Sequence, residues 1–256
     1  MTTVRDIAEK MKVFAPPALA GEWDNVGLLV GSHDKVVRRI LVALDMDSQT
    51  AAEAAAKNAD LVITHHPILL KPVNRITDET AEGRVIKTLI KNDISMLAAH
   101  TNLDSADGGV NDVLAQKIGL INIRKIFTPD GVASSRTGEI TPQTLEAFTK
   151  YVGEKLNSTV IKRVGDKNRI ITRVAVCSGS GAFMINTAND EGCDALVTGE
   201  AKYSDEQLAH ETGLCLIEAG HFETETIVCE VVRDFLRKEF KDIEIMVSQR
   251  KTTYYE

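Results

Sequence analysis

Two adjacent histidines, His65 and His66, stand in the run Ile-Thr-His-His-Pro-Ile-Leu at 63–69, where an apolar stretch meets a proline. Neighbours in a regular strand point to opposite faces. Where a strand becomes a loop that alternation can break, and two imidazoles can turn into one polar cavity. Pro67 favours this, because it restricts His66 to extended or polyproline backbone. Imidazole is the commonest metal ligand and a general base near neutral pH. Two more combinations carry related chemistry: His100 precedes Asp104, and His221 precedes Glu225, each by four residues. At the start of a helical pattern, His221 and Glu225 would share one helix face and could address one ion. His100 and Asp104 lie in a polar stretch, 100–109, that reads as loop, so Asp104 could be a ligand, a cap of the next helix or a turn former. Together these residues offer at least three nitrogens and two carboxylates, enough for two metal ions bridged by a carboxylate. Mixed nitrogen and oxygen donors suit zinc, iron, manganese or nickel and argue against calcium, which takes oxygen.

The elements that would position these groups alternate between helix and strand. Apolar spacing predicts helices over 3–13, 48–58, 80–93 and 109–119, with short apolar strands over 38–45, 60–64 and 94–99. After a Pro-Asp-Gly turn at 129–131, helices are expected over 143–156, 181–191, 204–212 and 222–239. Strands are expected over 158–164, 172–177, 194–198 and 214–219. Continuous apolar strands separated by helices indicate a largely parallel α/β sheet. Residues 39–64 and 173–198 align without gaps at one offset of 134, with Arg39/Arg173, Val42/Val176, Ala54/Ala188, Asp60/Asp194 and Thr64/Thr198 identical. The expected architecture is therefore α/β, with two similar α/β domains from an internal duplication, 1–128 and 129–256, the C-terminal elements being free to pack back on the first. In both halves a His-x3-Asp/Glu follows the same strand, at the strand ends where open α/β sheets place their ligands. Glu200 holds the repeat position of His66 and could face the same cavity as a base.

Composition narrows the function classes. The chain has 256 residues, 43% hydrophobic and 26% charged, with a formal net charge of −7, the balance of a soluble globular protein. No apolar run approaches a membrane span of roughly 20 residues, and the first residues read as an amphipathic helix rather than a signal peptide. Cys177, Cys193, Cys215 and Cys229 show no CxxC spacing and read as reduced, mostly buried thiols of a cytoplasmic protein. The most basic segment, 162–169, reads as a solvated hairpin, and aromatics are only 5%, so nucleic acid is disfavoured as a partner. His33 reads as a surface turn residue and His210 as a late helical one. The single tryptophan, Trp23, stands beside Asp24 and Asn25 in a segment ending Gly27-Leu-Leu-Val-Gly31. The glycines suggest tight turns but no phosphate loop, whose Lys-Ser/Thr ending is missing. Asp24 could support a ligand, face a substrate, or sit in a plain turn with a buried indole.

The segments Asp-Asn-Val-Gly-Leu-Leu-Val-Gly, Ile-Thr-His-His-Pro-Ile-Leu, 98–115 and 198–225 together resemble the Nif-three-like family of dinuclear metal proteins, over essentially the whole chain. Many members are known as GTP cyclohydrolase I type 2 homologues. The resemblance implies five metal ligands, falling here on His65, His66, Asp104, His221 and Glu225, with two divalent ions in a cleft between two α/β domains. It also implies a toroidal homohexamer. Some relatives carry an extra central domain, which this chain is too short to hold; the joint near residue 129 is where it would be absent. Phe222 stands where many relatives have His or Tyr, which alters the cavity wall and leaves the ligand set intact. The activity implied is metal-assisted hydrolysis that opens a purine nucleotide ring, or hydrolyses a related small molecule, with His100 or Glu200 moving protons. A non-catalytic metal-binding regulatory or interaction protein is the competing class, since the family takes its name from a protein interaction.

Overall fold

The computed structural model describes residues 1–129 and 131–251; Asp130, in the middle of the expected 129–131 turn, lies outside the described residues, as do 252–256. In chain order, α1 (Val4–Phe14) is followed by β1 (Gly27–Val30), β2 (Arg39–Ala43), α2 (Ser48–Ala56) and β3 (Leu61–Thr64). Next come α3 (Ala81–Lys91), β4 (Ser95–Ala98), α4 (Thr101–Ser105) and α5 (Val110–Lys117). The middle of the chain forms β5 (Ile121–Ile126), β6 (Ser135–Thr144), α6 (Leu145–Leu156), β7 (Lys162–Val164) and β8 (Ile170–Cys177). The remainder is α7 (Ile185–Asp190), β9 (Ala195–Thr198), α8 (Tyr203–Thr212), β10 (Cys215–Glu218), α9 (His221–Glu225), α10 (Ile227–Glu239) and β11 (Glu244–Val247).

These elements build a mixed α/β protein with two sheets in two compact units. One unit comprises Met1–Ala106 together with the described residues from Val228 on; the other is Asp107–Ile227. The boundary falls between Ala106 and Asp107 instead of at 128/129, and the chain returns to its first sheet, as that expectation left open. β11 lies parallel to β2, pairing Ile245 with Ile40 and Val247 with Val42, and Phe235 of α10 stacks on Phe14 of α1 at 4.6 Å. The first unit's sheet runs β1-β4-β3-β2-β11, parallel except for β1 at the edge. In the second unit the order is β5-β6-β8-β9-β10-β7, with a parallel centre, β8-β9-β10, flanked by antiparallel strands.

Every residue of β3, β4, β9 and β10 is buried, as expected of central strands covered on both faces. α1 opens on a reciprocal cap between Thr3 and Asp6 and buries Val4, Ile7, Ala8 and Met11, the face its apolar spacing marks. The 134-residue offset recurs in the pairing. Ile40 faces Leu61 in one sheet, and Val174 faces Ala195 in the other. Asp60 accepts the backbone N–H groups of Arg38 and Arg39, and Asp194 those of Thr172 and Arg173.

Several expectations are corrected. The Gly27–Gly31 segment is strand β1, with its glycines at φ +105 and +104 marking the ends; a Cβ on Gly31 would lie 2.2 Å from Ser95 Oγ. The stretch after His100 is helix α4, whose first turn is closed by Asn102 Oδ1 accepting from the His100 N–H. The basic segment at 162–169 is no hairpin, since β7 pairs with β10. The expected helix over 222–239 is interrupted at Thr226 into α9 and α10.

Candidate metal centre

In the first unit, β3, β4 and β2 end side by side and deliver His65 and His66, His100, and Asp45 respectively. His65 is 2% exposed, and its Nδ1 lies 3.0 Å from the carbonyl oxygen of Ala99. A carbonyl only accepts, so Nδ1 carries the proton and Nε2 is the basic nitrogen. That Nε2 is 3.6 Å from Asp104 Oδ1 on α4. His66 Nδ1 lies 2.6 Å from Asp45 Oδ1, and His100 Nδ1 lies 2.9 Å from Asp24 Oδ1. The three rings cluster, with centroids 5.0, 5.1 and 5.5 Å apart, and one nitrogen of each can meet the other two within 4.8 Å. Asp24 is gripped by the backbone N–H of Thr101 at 3.0 Å and its hydroxyl at 2.5 Å. Burial acts to raise the Asp24 pKa, but the donors from His100 and Thr101 outweigh it and hold this carboxyl well below the usual carboxylate range.

In the second unit, α9 places His221 and Glu225 on one face, with His221 Nε2 3.0 Å from Glu225 Oε2. Glu225 is 4% exposed. On the other side of the ring, His221 Nδ1 is 3.3 Å from Glu200 Oε1, and Ser180 Oγ donates to the same oxygen at 2.5 Å. The Ser180 hydrogen bond, with help from His221, keeps the Glu200 carboxyl below its usual range against the opposing effect of burial. The turn after β8 closes over this pair at Gly179, whose φ is +57. A Cβ there would stand 2.1 Å from Glu225 Oε1 and 3.1 Å from His221 Nε2. Thr224 Oγ1 accepts from the Gly179 N–H at 3.1 Å and fixes the turn.

The donor set of the first unit fits a divalent transition metal, with three imidazole nitrogens within 4.8 Å of one another, and the second unit adds the His221–Glu225 pair. Imidazoles whose Nδ1 is held by an oxygen, leaving Nε2 to ligate, are the usual arrangement of metal-binding histidines. A glycine-lined recess against a buried carboxylate gives that carboxylate's second face room. The structure thus brings His65, His66, His100 and Asp104 together in the first unit, and His221, Glu225 and Glu200 in the second. The two His-x3-acid segments follow matched strands, but one residue out of step. Ala99 and Ala219 donate to the equivalent Thr64 and Thr198 carbonyls, so Gly220, not His221, matches His100. Trp23, entertained as a buried indole, is 64% exposed. Sequence reasoning missed Asp45, Ser180 and Gly179. The signal for Asp45 was available, as an acid at the end of a strand next to the one carrying His66.

A two-unit α/β chain with histidine and carboxylate donors at its strand ends is thereby defined. Residues 2–253 match the family described as Duf34/NIF3 (NGG1p interacting factor 3), and the chain belongs to that family. It is 33% identical, over 99% of its length and 98% of the relative's, to a protein of Clostridium perfringens named GTP cyclohydrolase 1 type 2 homolog. A protein of the same name from Streptomyces coelicolor is 35% identical over 90% of this chain and 84% of that one. A solved structure, a Staphylococcus aureus hypothetical protein, superposes with a TM-score of 0.93 at 29% identity, covering 99% of this chain and 98% of that one.

Proposed function

We propose that this chain is a metal-dependent hydrolase of the GTP cyclohydrolase I type 2-like kind. It would act by hydrolytic opening of a purine nucleotide ring or on a related small molecule, in the cytoplasm and as a homohexamer. Two divalent ions, drawn from zinc, iron, manganese or nickel, would be held by His65, His66, Asp104, His221 and Glu225, the ligand set that the family resemblance implies. The observation that carries this reading is the pinning of the histidines' Nδ1 atoms: Ala99 O holds His65, Asp45 holds His66 and Glu200 faces His221. Surface histidines are not ordinarily buttressed in this way, whereas ligands are. When bound, the ions supply Lewis acidity and lower the pKa of a coordinated water.

His100 is the proton carrier in this reading. Asp24 fixes its Nδ1–H and leaves Nε2 to take a proton from water or return one to a leaving group, the division of labour in any carboxylate–imidazole pair. Glu200 stays ionised and serves to orient His221. The names of the relatives support a nucleotide substrate, while the family's description as an interacting factor supports the competing reading, an interaction protein.

Metal analysis of the purified protein, followed by product assay against GTP and a nucleotide panel, separates these readings. Wild type is expected to carry two ions per chain and turn over a purine nucleotide, with His66→Ala and Glu225→Ala each losing metal. Full occupancy with no product from any nucleotide would favour the interaction reading. Equal metal in all three proteins would sink the ligand set.

A further inference from the structure

Large aromatic side chains are ordinarily buried, because they carry the largest apolar area of any residue type. Trp23 is the only tryptophan in the chain and is 64% exposed, yet its backbone is anchored on all sides. The Asp24 N–H donates to the Gly21 carbonyl at 2.9 Å, closing a tight turn around it. Gly21 N–H donates to Thr101 Oγ1 at 2.9 Å. The Asp24 carboxylate is bound by Thr101 and His100, and Asn25 Nδ2 donates to the Leu69 carbonyl at 2.6 Å. The indole also lies against the bare backbone of Gly21, where a Cβ would stand 2.9 Å from Nε1 and 3.2 Å from Cε2. Its ring meets that of His100 edge to face, at 6.0 Å and 79°.

An indole on a backbone held this firmly has part of its ordering cost met before any ligand arrives. The geometry points to a stacking subsite: Trp23 receives the flat face of a heteroaromatic ring, a nucleobase above all, and sets it beside the His100 imidazole. This deepens the hydrolase reading and rests on it for the choice of a purine. The side chain that would stack is a broad apolar ring on an anchored backbone, and the group that would hydrogen-bond the ring edge, His100 Nε2, stands next to it. Stacking tolerates any base, so selectivity among bases falls to that edge contact.

The lone tryptophan is its own reporter. In the full-length, metal-loaded protein, GTP and guanosine should quench its emission saturably, and ribose 5-phosphate, which lacks the base, should not. By equilibrium dialysis, Trp23→Ala should weaken guanosine binding about tenfold or more, while Trp23→Phe stays within about threefold. Metal content should be unchanged in both variants, which separates stacking from damage to the imidazole cluster. Absence of quenching by either purine probe overturns the subsite, as does unchanged guanosine affinity in Trp23→Ala. Saturable quenching without any turnover would leave the subsite standing and remove the hydrolase. Turnover of GTP with full affinity in Trp23→Ala would do the reverse.

Discussion

At the scale of single residues, the site depends as much on the groups behind the histidines as on the histidines themselves. Asp45 offers the clearest case. Its oxygen, 2.6 Å from His66 Nδ1, fixes which nitrogen of the ring is free to ligate. Asp45→Asn keeps the shape and removes the charge, and an amide can present N–H instead of oxygen to that nitrogen. We expect a loss of about 10- to 100-fold in metal affinity, with little change in thermal stability. Competition with a chromophoric chelator measures the affinity, and a melting curve in chelator checks the fold. A retained affinity would mean that the ring is oriented by something else.

Among elements, the paired aspartates that tie neighbouring strands together are the informative feature. Asp194 accepts from the Thr172 N–H, the Thr172 hydroxyl and the Arg173 N–H at 2.7–2.9 Å, locking β8 to the start of β9. Burial acts to raise its pKa, but the N–H donors of Arg173 and Thr172 prevail and hold it below the usual value. The folded pKa thus lies below the unfolded one, near 3.9, so the carboxylate's contribution is complete above that value and fades as pH falls through the folded one. Asp194→Ala should cost about 1–2 kcal/mol at neutral pH. The gap from wild type should narrow below about pH 4, as read by urea denaturation across a pH series. A gap independent of pH would show that the effect is steric.

Much of this level was legible in the sequence. Apolar runs such as Asp-Leu-Val-Ile-Thr marked the buried parallel strands, and the 134-residue offset anticipated the register shared by β2–β3 and β8–β9. Three of the four edge strands were not legible, whereas β7 falls inside the expected strand over 158–164. β1, β5 and β11 are half-exposed or irregular in burial, so they lack the continuous apolar run that announces a central strand. Helix α4 hid for a different reason. Its first turn is held by the Asn102 side chain and not by an apolar face, and no periodic pattern reports a cap of that kind. The candidate ligands stood out as residue types at strand ends, whereas the oxygens that orient them come from elsewhere in the chain: Asp24 is 76 residues from His100, and Asp45 is 21 from His66.

For the molecule as a whole, the chain path matters. The first unit is completed only when the last elements return to it, with β11 at its sheet edge and α10 against α1. Truncation after residue 227 would remove both, uncover the buried Ile40–Ala43 edge and leave Phe14 without its stacking partner. We expect the truncated chain to be insoluble or to lack a cooperative melt, while its second unit, continuous from Asp107 to Ile227, keeps protected amides. Hydrogen exchange read segment by segment would show this; uniform protection across both units would contradict it. A single continuous break in the sequence is therefore a poor guide to where this protein could be cut.

The two strand-end turns that follow β2 and β8 hold Asp45 and Gly179 at matching places, 134 residues apart. One position supplies a charge to a histidine; the other supplies nothing but room for Glu225 and His221. Their tolerance to change should consequently be opposite in kind. In a saturation scan scored by retained metal, position 45 should accept the residue that preserves a carboxylate, glutamate, better than any other. Position 179 should reject even alanine, since the first added carbon meets the Glu225 carboxylate and the backbone lies at positive φ. A scan in which Gly179→Ala kept its metal would show that the recess is wider than its lining, and that the asymmetry between the two turns is an accident of descent with no chemical demand behind it.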